Sequence, residues 1–170
     1  MALASVRGEA DTVVDRDVRA TLKGLCGILD RVNDESCLAR ESFHNLQPAP
    51  QPQAIPPPVR VWTSQEWDLI RRGHRSQDMD DRWHAFVEDQ RLYLHRSWTG
   101  RGVYEAQFTA GAGGWQISSA MVTGDRDSYG RGGDEYESAL LEAVIEWALL
   151  SVFDGAGAKR WERAQCNKDG

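Results

Sequence analysis

Two residues, Asp89 and Gln90, separate the strand-like runs Trp83–Glu88 and Arg91–Trp98, and this gap constrains the fold more than any other feature of the chain. A parallel crossover needs a dozen residues or more, so runs joined this closely must form an antiparallel hairpin. Gly100-Arg101 gives a second turn signal, since Gly-X suits a type II′ turn leading into Val103–Thr109. The Gly-rich stretch from Gly111 to Gly114 then joins that run to Trp115–Thr123. The sequence therefore predicts a four-stranded antiparallel β-meander, and the helix that follows it makes the fold class α+β.

Turn length also sets which side chains share a face. Across the turn at 89–90, Val87 opposes Leu92, Ala85 opposes Leu94 and Trp83 opposes Arg96 on one side. Glu88 opposes Arg91, Phe86 opposes Tyr93 and His84 opposes His95 on the other. Carried through a turn at 100–101, the same count sets Arg96 against Glu105, Trp98 against Val103, Ser97 against Tyr104 and Tyr93 against Phe108. Both faces hold large apolar groups, and the C-terminal helix covers only one. The other needs the 64–72 helix, the N-terminal helices or a partner chain to cover it.

Thr63-Ser-Gln-Glu66 fits a capping box for that short helix, with Trp67 and Ile70 on one side and Gly73 as its stop. After the meander, Asp134 begins a helix whose stripe is Leu140, Leu141, Val144, Ile145, Ala148 and Leu149. Residues 155–170 are small and polar and read as a fraying tail. Before the meander, all six prolines lie between Pro48 and Pro58, a composition that favours an extended linker over residues 48–58. Residues 1–47 read as helical. Val14, Val18, Leu22, Leu25, Leu29 and Val32 mark an amphipathic helix from about 12 to 32, weakened by Gly24 and Gly27. A second short helix, capped by Asp34 or Ser36, carries Leu38, Phe43 and Leu46. The main domain is expected over residues 59–154, where all seven tryptophans but the last, Trp161, lie.

A net charge of −6 leaves no broad basic footprint for a nucleic-acid duplex. No run approaches the ~20 apolar residues of a membrane span, and the N-terminus, with Glu9 and Asp11, lacks the apolar core of a secretory signal. Cys26, Cys37 and Cys166 fit neither a zinc pattern nor a disulfide framework, which points to a reducing cytoplasm.

Four groups of residues carry chemistry. Arg96, flanked across strands by Trp83 and Glu105, either holds an anion beside a stacked ring or simply completes the sheet. His84 and His95, as direct neighbours, are either a metal or proton-transfer pair or two polar aromatics closing a core; that face offers no third ligand. His74, Asp78, Asp80 and Asp81 gather before the first meander strand, for a divalent metal or for turn capping and pairing with Arg75 or Arg82. The loop from Gly124 to Gly130 begins like a calcium loop but has Tyr129 and Tyr136 where ligands belong, leaving a weak anion signal before a helix N-terminus. Ser97 lacks the first glycine of a nucleophile elbow. Strict alternation also sends His95 and Ser97 to the face opposite Arg96 and Trp98, so one pocket holding all four would need a bulge.

Gly73, Met79-Asp80-Asp81-Arg82-Trp83, Leu92-Tyr-Leu-His95-Arg96-Ser97-Trp98-Thr99-Gly100 and Val103-Tyr104 together form a pattern that resembles a small uncharacterised bacterial domain. The resemblance runs through Ala120-Met121-Val122 and Tyr129 to the last helix, about residues 62–152. That domain is loosely associated with proteins handling ADP-ribose, such as macro domains and ADP-ribosylglycohydrolases. It brings no catalytic residues. The expectation is a binding module for a small anionic ligand, nucleotide or ADP-ribose-like, built from Arg96, Trp83, Trp98, Asp80, Asp81 and His95. Two alternatives stand beside it. One is a metal-dependent hydrolase using Asp78, Asp80, Asp81 and His74 or His95. The other is a protein-interaction or antitoxin-like accessory, with a homodimer formed through the N-terminal helix or an apolar sheet face.

Overall fold

The computed structural model describes residues 37–166. The helix expected over 12–32, with Cys26 and the dimer contact assigned to it, lies outside the described residues. In chain order the elements are a single 3₁₀ turn (Arg40–Ser42), β1 (Gln53–Ile55), β2 (Val61–Trp62), α1 (Ser64–Ile70), β3 (Trp83–Glu88), β4 (Arg91–Arg96), β5 (Gly102–Gly111), β6 (Gly114–Val122), α2 (Asp134–Val144) with a π-helical continuation (Ile145–Leu149), and α3 (Ala156–Cys166).

The α+β class holds, but the antiparallel sheet is larger than the meander alone. Its order is β1-β6-β5-β4-β3, with β2 also on β6. The two extra strands come from the sequence before the meander. Gln53–Ile55, inside the proline-rich run, pairs with Ala120–Val122, and Val61-Trp62 pairs with Trp115-Gln116. Prolines cannot donate to a ladder, yet an edge position with bonds on one side only tolerates them nearby. The stretch that composition marks as a linker is therefore partly sheet, and the compact unit begins at Cys37.

The first hairpin has the register that its turn dictates, from Glu88 opposite Arg91 to Trp83 opposite Arg96. Asp89 and Gln90 adopt φ of 48° and 62°, the left-handed pair of a type I′ turn. The second hairpin corrects the expectation. His95 pairs with Gly102 and Tyr93 with Glu105, so Arg96 does not face Glu105, Ser97 does not meet Tyr104, and Trp98 does not face Val103. The connection is a wider loop over residues 97–101, in which the Gly100 amide donates to Arg96 O and the Arg96 amide to Arg101 O, both at 2.9 Å. Gly100 has φ +68°, and a Cβ there would lie 2.3 Å from the Asn45 carbonyl oxygen. Glycine is needed for both reasons. Glu105 instead lies 3.6 Å from Arg91.

One sheet face packs against the helices. Ala85, Leu92, Leu94, Tyr104, Ala106, Phe108, Ile117, Ala120 and Val122 meet Leu141 and Val144 of α2 and Ile145 just beyond it there. The capping box of α1 is present in full, with the Glu66 amide donating to Thr63 Oγ1 and the Thr63 amide to Glu66 Oε2. Trp67 of α1 stacks on Trp115 at 4.4 Å, so this helix joins α2 on the same face. The opposite face is covered by residues 37–49. Phe43 lies 4.9 Å from the His84 ring and 5.9 Å from Phe86, while the Arg40 guanidinium sits over Phe86 and Tyr93. The short helix expected around Leu38, Phe43 and Leu46 is reduced to the single 3₁₀ turn. Its backbone is used elsewhere: the Leu38 amide donates to Arg72 O and the Gln47 amide to Gly100 O.

The expected tail is also corrected. Ala156–Cys166 form α3, which packs on α2. Its small residues allow close approach, since a Cβ on Gly157 would lie 2.7 Å from the Ala143 amide nitrogen. Three glutamates of the α2 region, Glu137, Glu142 and Glu146, are at most 1% exposed, and two of them hold α3. Glu142 pairs with Arg160. Glu146 pairs with Arg60 and accepts from the amides of Gly157 at 3.0 Å and Ala158 at 3.2 Å, capping α3 from a neighbouring segment. Among the described residues, no helix is long and apolar enough to cross a membrane.

Candidate functional site

The ends of β3 and β4, the 80–82 loop, α2 and α3 enclose a groove of about 730 Å³. That volume falls within the range of small-molecule sites. Trp83 and Arg96 line it from the sheet, as their cross-strand pairing places them on the helix-facing side. Asp80, Asp81 and Arg82 line it from the loop, with His74 behind them. The far wall is apolar and aromatic: Tyr136, Leu140, Val144 and Trp147 along α2 and its continuation, with Phe153 and Trp161.

Arg96 is held by rings. Its guanidinium carbon lies 4.4 Å from the Trp83 centroid and 5.5 Å from that of Tyr129. Among the described residues, no carboxylate stands within ion-pair distance of Arg96 or Arg82. Beneath Arg96, the hydroxyls of Tyr104 and Tyr129 lie 2.7 Å apart and both donate to Glu137, which also accepts from the Gly132 amide at 2.5 Å. Burial pushes both phenols well above their ordinary pKa, and the adjoining Glu137 carboxylate adds to the shift. They stay protonated and act as donors that hold the buried acid. Tyr129 thus couples a locked polar cluster to the guanidinium above it.

The acidic loop is spent largely on itself. Asp78 Oδ1 accepts from the amides of Asp80 and Asp81, both at 3.0 Å, and Asp81 Oδ2 lies 2.6 Å from His74 Nε2. Ser76 and Ser97 hydroxyls both donate to the Asp81 carbonyl, and the Ser97 amide donates to that of Arg82, which ties this loop to the 97–101 turn. Among the described residues, no group of three or more His, Cys, Asp or Glu side chains is arranged to hold a metal ion. Among the described residues, nothing places a cation or a turn bond on the Asp80 oxygens, unlike those of Asp78 and Asp81.

Four of the six expected ligand residues, Arg96, Trp83, Asp80 and Asp81, therefore line one groove. Trp98 lies just outside, 66% exposed, in an adjoining recess of about 300 Å³ formed with Arg82, Arg96, Ser97 and Thr99. His95 lies elsewhere. It is 2% exposed on the opposite face, stacked on Phe86 at 5.5 Å, with Nδ1 donating to Gly100 O at 3.0 Å. Burial lowers its pKa, and its work is to hold the turn beside Arg96. His84 is similarly structural, its Nδ1 accepting from the Ser76 amide at 3.1 Å.

The aromatic wall lies outside the expected site, which is drawn from the meander and the loop before it. Its signal is nonetheless in the sequence, because Tyr136, Leu140, Val144 and Trp147 recur at helical spacing. Comparison of the chain with protein-family models, with curated proteins and with solved structures gives no match.

Proposed function

We propose that the protein is a binding module for a small anionic ligand that also carries a planar ring, a nucleotide or ADP-ribose-like molecule. One observation carries this reading: two arginines without carboxylate partners among the described residues, Arg82 and Arg96, line a ligand-sized groove walled by aromatic rings. Guanidinium groups match phosphate and carboxylate geometry, and tryptophans offer stacking surface. Asp80 supplies an acceptor of the kind that takes a sugar hydroxyl. The indole N–H of Trp161, buried in the wall without a partner among the described residues, is a further donor. The acidic loop gives the hydrolase alternative less support, because Asp78 and Asp81 are already bound within it.

The test is calorimetric titration with AMP, ADP, ADP-ribose and NAD, first on the full chain and then on its R96A variant. Arg96 leans on rings rather than on a buried carboxylate, so its removal costs stability of order 0.5–1 kcal/mol and the variant stays folded. R96A should lose binding by tenfold or more. Unchanged affinity in a folded variant would refute the role of Arg96.

A further inference from the structure

The main groove and the Trp98 recess have two residues in common, Arg82 and Arg96. Arg96, with its guanidinium carbon 4.4 Å from the Trp83 centroid, and Arg82 therefore stand at the junction of two cavities rather than at the end of one. On one side lies the aromatic wall of Trp147 and Trp161. On the other side Trp98, 66% exposed, flanks the smaller recess of about 300 Å³. The 97–101 loop that carries Trp98 is pinned, with the Ser97 amide on Arg82 O and the Gly100 amide on Arg96 O. A tryptophan this exposed on a fixed turn gains nothing from the core, yet it stands beside two arginines that have no carboxylate partner among the described residues.

From this arrangement we infer that the ligand is two-sided, with an anionic bridge flanked by two planar groups, and that its chemical class is a dinucleoside pyrophosphate. The inference rests on the anion-binding reading above and adds the second half of the ligand. A pyrophosphate diester carries two negative charges, one for each guanidinium, and it is linear enough to send one nucleoside each way. One base enters the groove beside Trp147 and Trp161, and the other stacks on Trp98. A mononucleotide fills only one side.

The experiment compares ADP with diadenosine pyrophosphate on the full chain and on W98A, by calorimetry at one salt concentration. ADP carries more negative charge, so electrostatics alone favours it, and tighter binding of the diester isolates the second base. Base–aromatic stacking predicts that the diester binds at least about fivefold tighter than ADP, and that W98A binds the diester no tighter than ADP. Thermal unfolding of W98A checks that the domain is intact. Equal affinity of both probes for the native chain, with R96A weakening both, overturns the two-sided site and leaves the anion-binding reading standing. A diester advantage that survives in W98A overturns the place of Trp98 and with it the recess. Binding of neither probe overturns both readings.

Discussion

Replacing Glu146 by alanine tests how the groove is held closed. The carboxylate is wholly buried, caps the first turn of α3 through the amides of Gly157 and Ala158, and pairs with Arg60. Losing a helix cap costs about 0.5–2 kcal/mol. Stranding a fully buried cation would add about 3–5 kcal/mol, but that figure does not apply here. Arg60 has a side chain 22% exposed and keeps Glu66 at 2.7 Å, so the added loss is closer to that of one ordinary hydrogen bond, about 1 kcal/mol. The total is about 1.5–3 kcal/mol. For a folded part of this size each kcal/mol moves the midpoint by about 4 °C, so E146A should melt about 6–12 °C lower by calorimetry or circular dichroism. E146Q keeps an acceptor oxygen and should lose about half as much. Because α3 carries Trp161 into the groove wall, a solvent-shifted tryptophan emission should appear below the main transition. A fall in E146A of less than about 4 °C, or under about 1 kcal/mol, would refute the view that this carboxylate fastens α3.

Three further outcomes follow from the same geometry. Gly100→Ala places a side chain at φ +68° and 2.3 Å from the Asn45 oxygen, so urea unfolding should show more than about 1 kcal/mol of lost stability. A neutral result would mean that the 97–101 loop relaxes freely. Phe43→Ala uncovers Phe86 and His84 on the second face and should cost about 3 kcal/mol in the same assay, while a cost below about 1 kcal/mol would show that residues 37–49 do not seal that face. His95 is held neutral, its pKa lowered from 6.5 chiefly by burial. Its unfolded form binds the proton more readily, so its share of stability is complete above that value and is lost as pH falls below it toward the folded pKa. The native midpoint should therefore fall more steeply over this window than that of H95Q, measured by thermal unfolding across pH; parallel curves would refute the assignment.

The parts legible in the sequence were those fixed by local chemistry. A two-residue turn admits one register, so Trp83 against Arg96 could be read directly, and with it the cation-on-ring pair of the site. Thr63 and Glu66 announce α1 because both members of the capping box lie within one turn. The parts that were not legible depend on partners distant in the chain. Gly100 looked like the first position of a tight turn, but its freedom serves a wider loop that passes Asn45. The Ala- and Gly-rich start of α3 reads as a fraying end, whereas Gly155 leaves room for the Glu146 carboxylate and Gly157 for the Glu142 backbone and Cγ. Nor does any local pattern reveal that Glu137, Glu142 and Glu146 are buried, since each is satisfied by Tyr104, Arg160 or Arg60 from another element. The aromatic wall fell between the two cases: its spacing was visible, but what faced it was not.

The placement of β1 and β2 has a consequence for how the chain is made. Among the described residues both pair only with β6, so during synthesis these segments emerge well before their partner exists. Docking them closes a long loop, which places their ladder among the late steps of folding. A waiting strand is an invitation to pair with another molecule, and here the invitation is weak. Residues Pro48, Pro50, Pro52 and Pro56–Pro58 flank Gln53–Ile55 and remove donors on both sides of it. The prolines that disguise this strand as a tether also keep it unattached on the nascent chain until the sheet is ready to receive it.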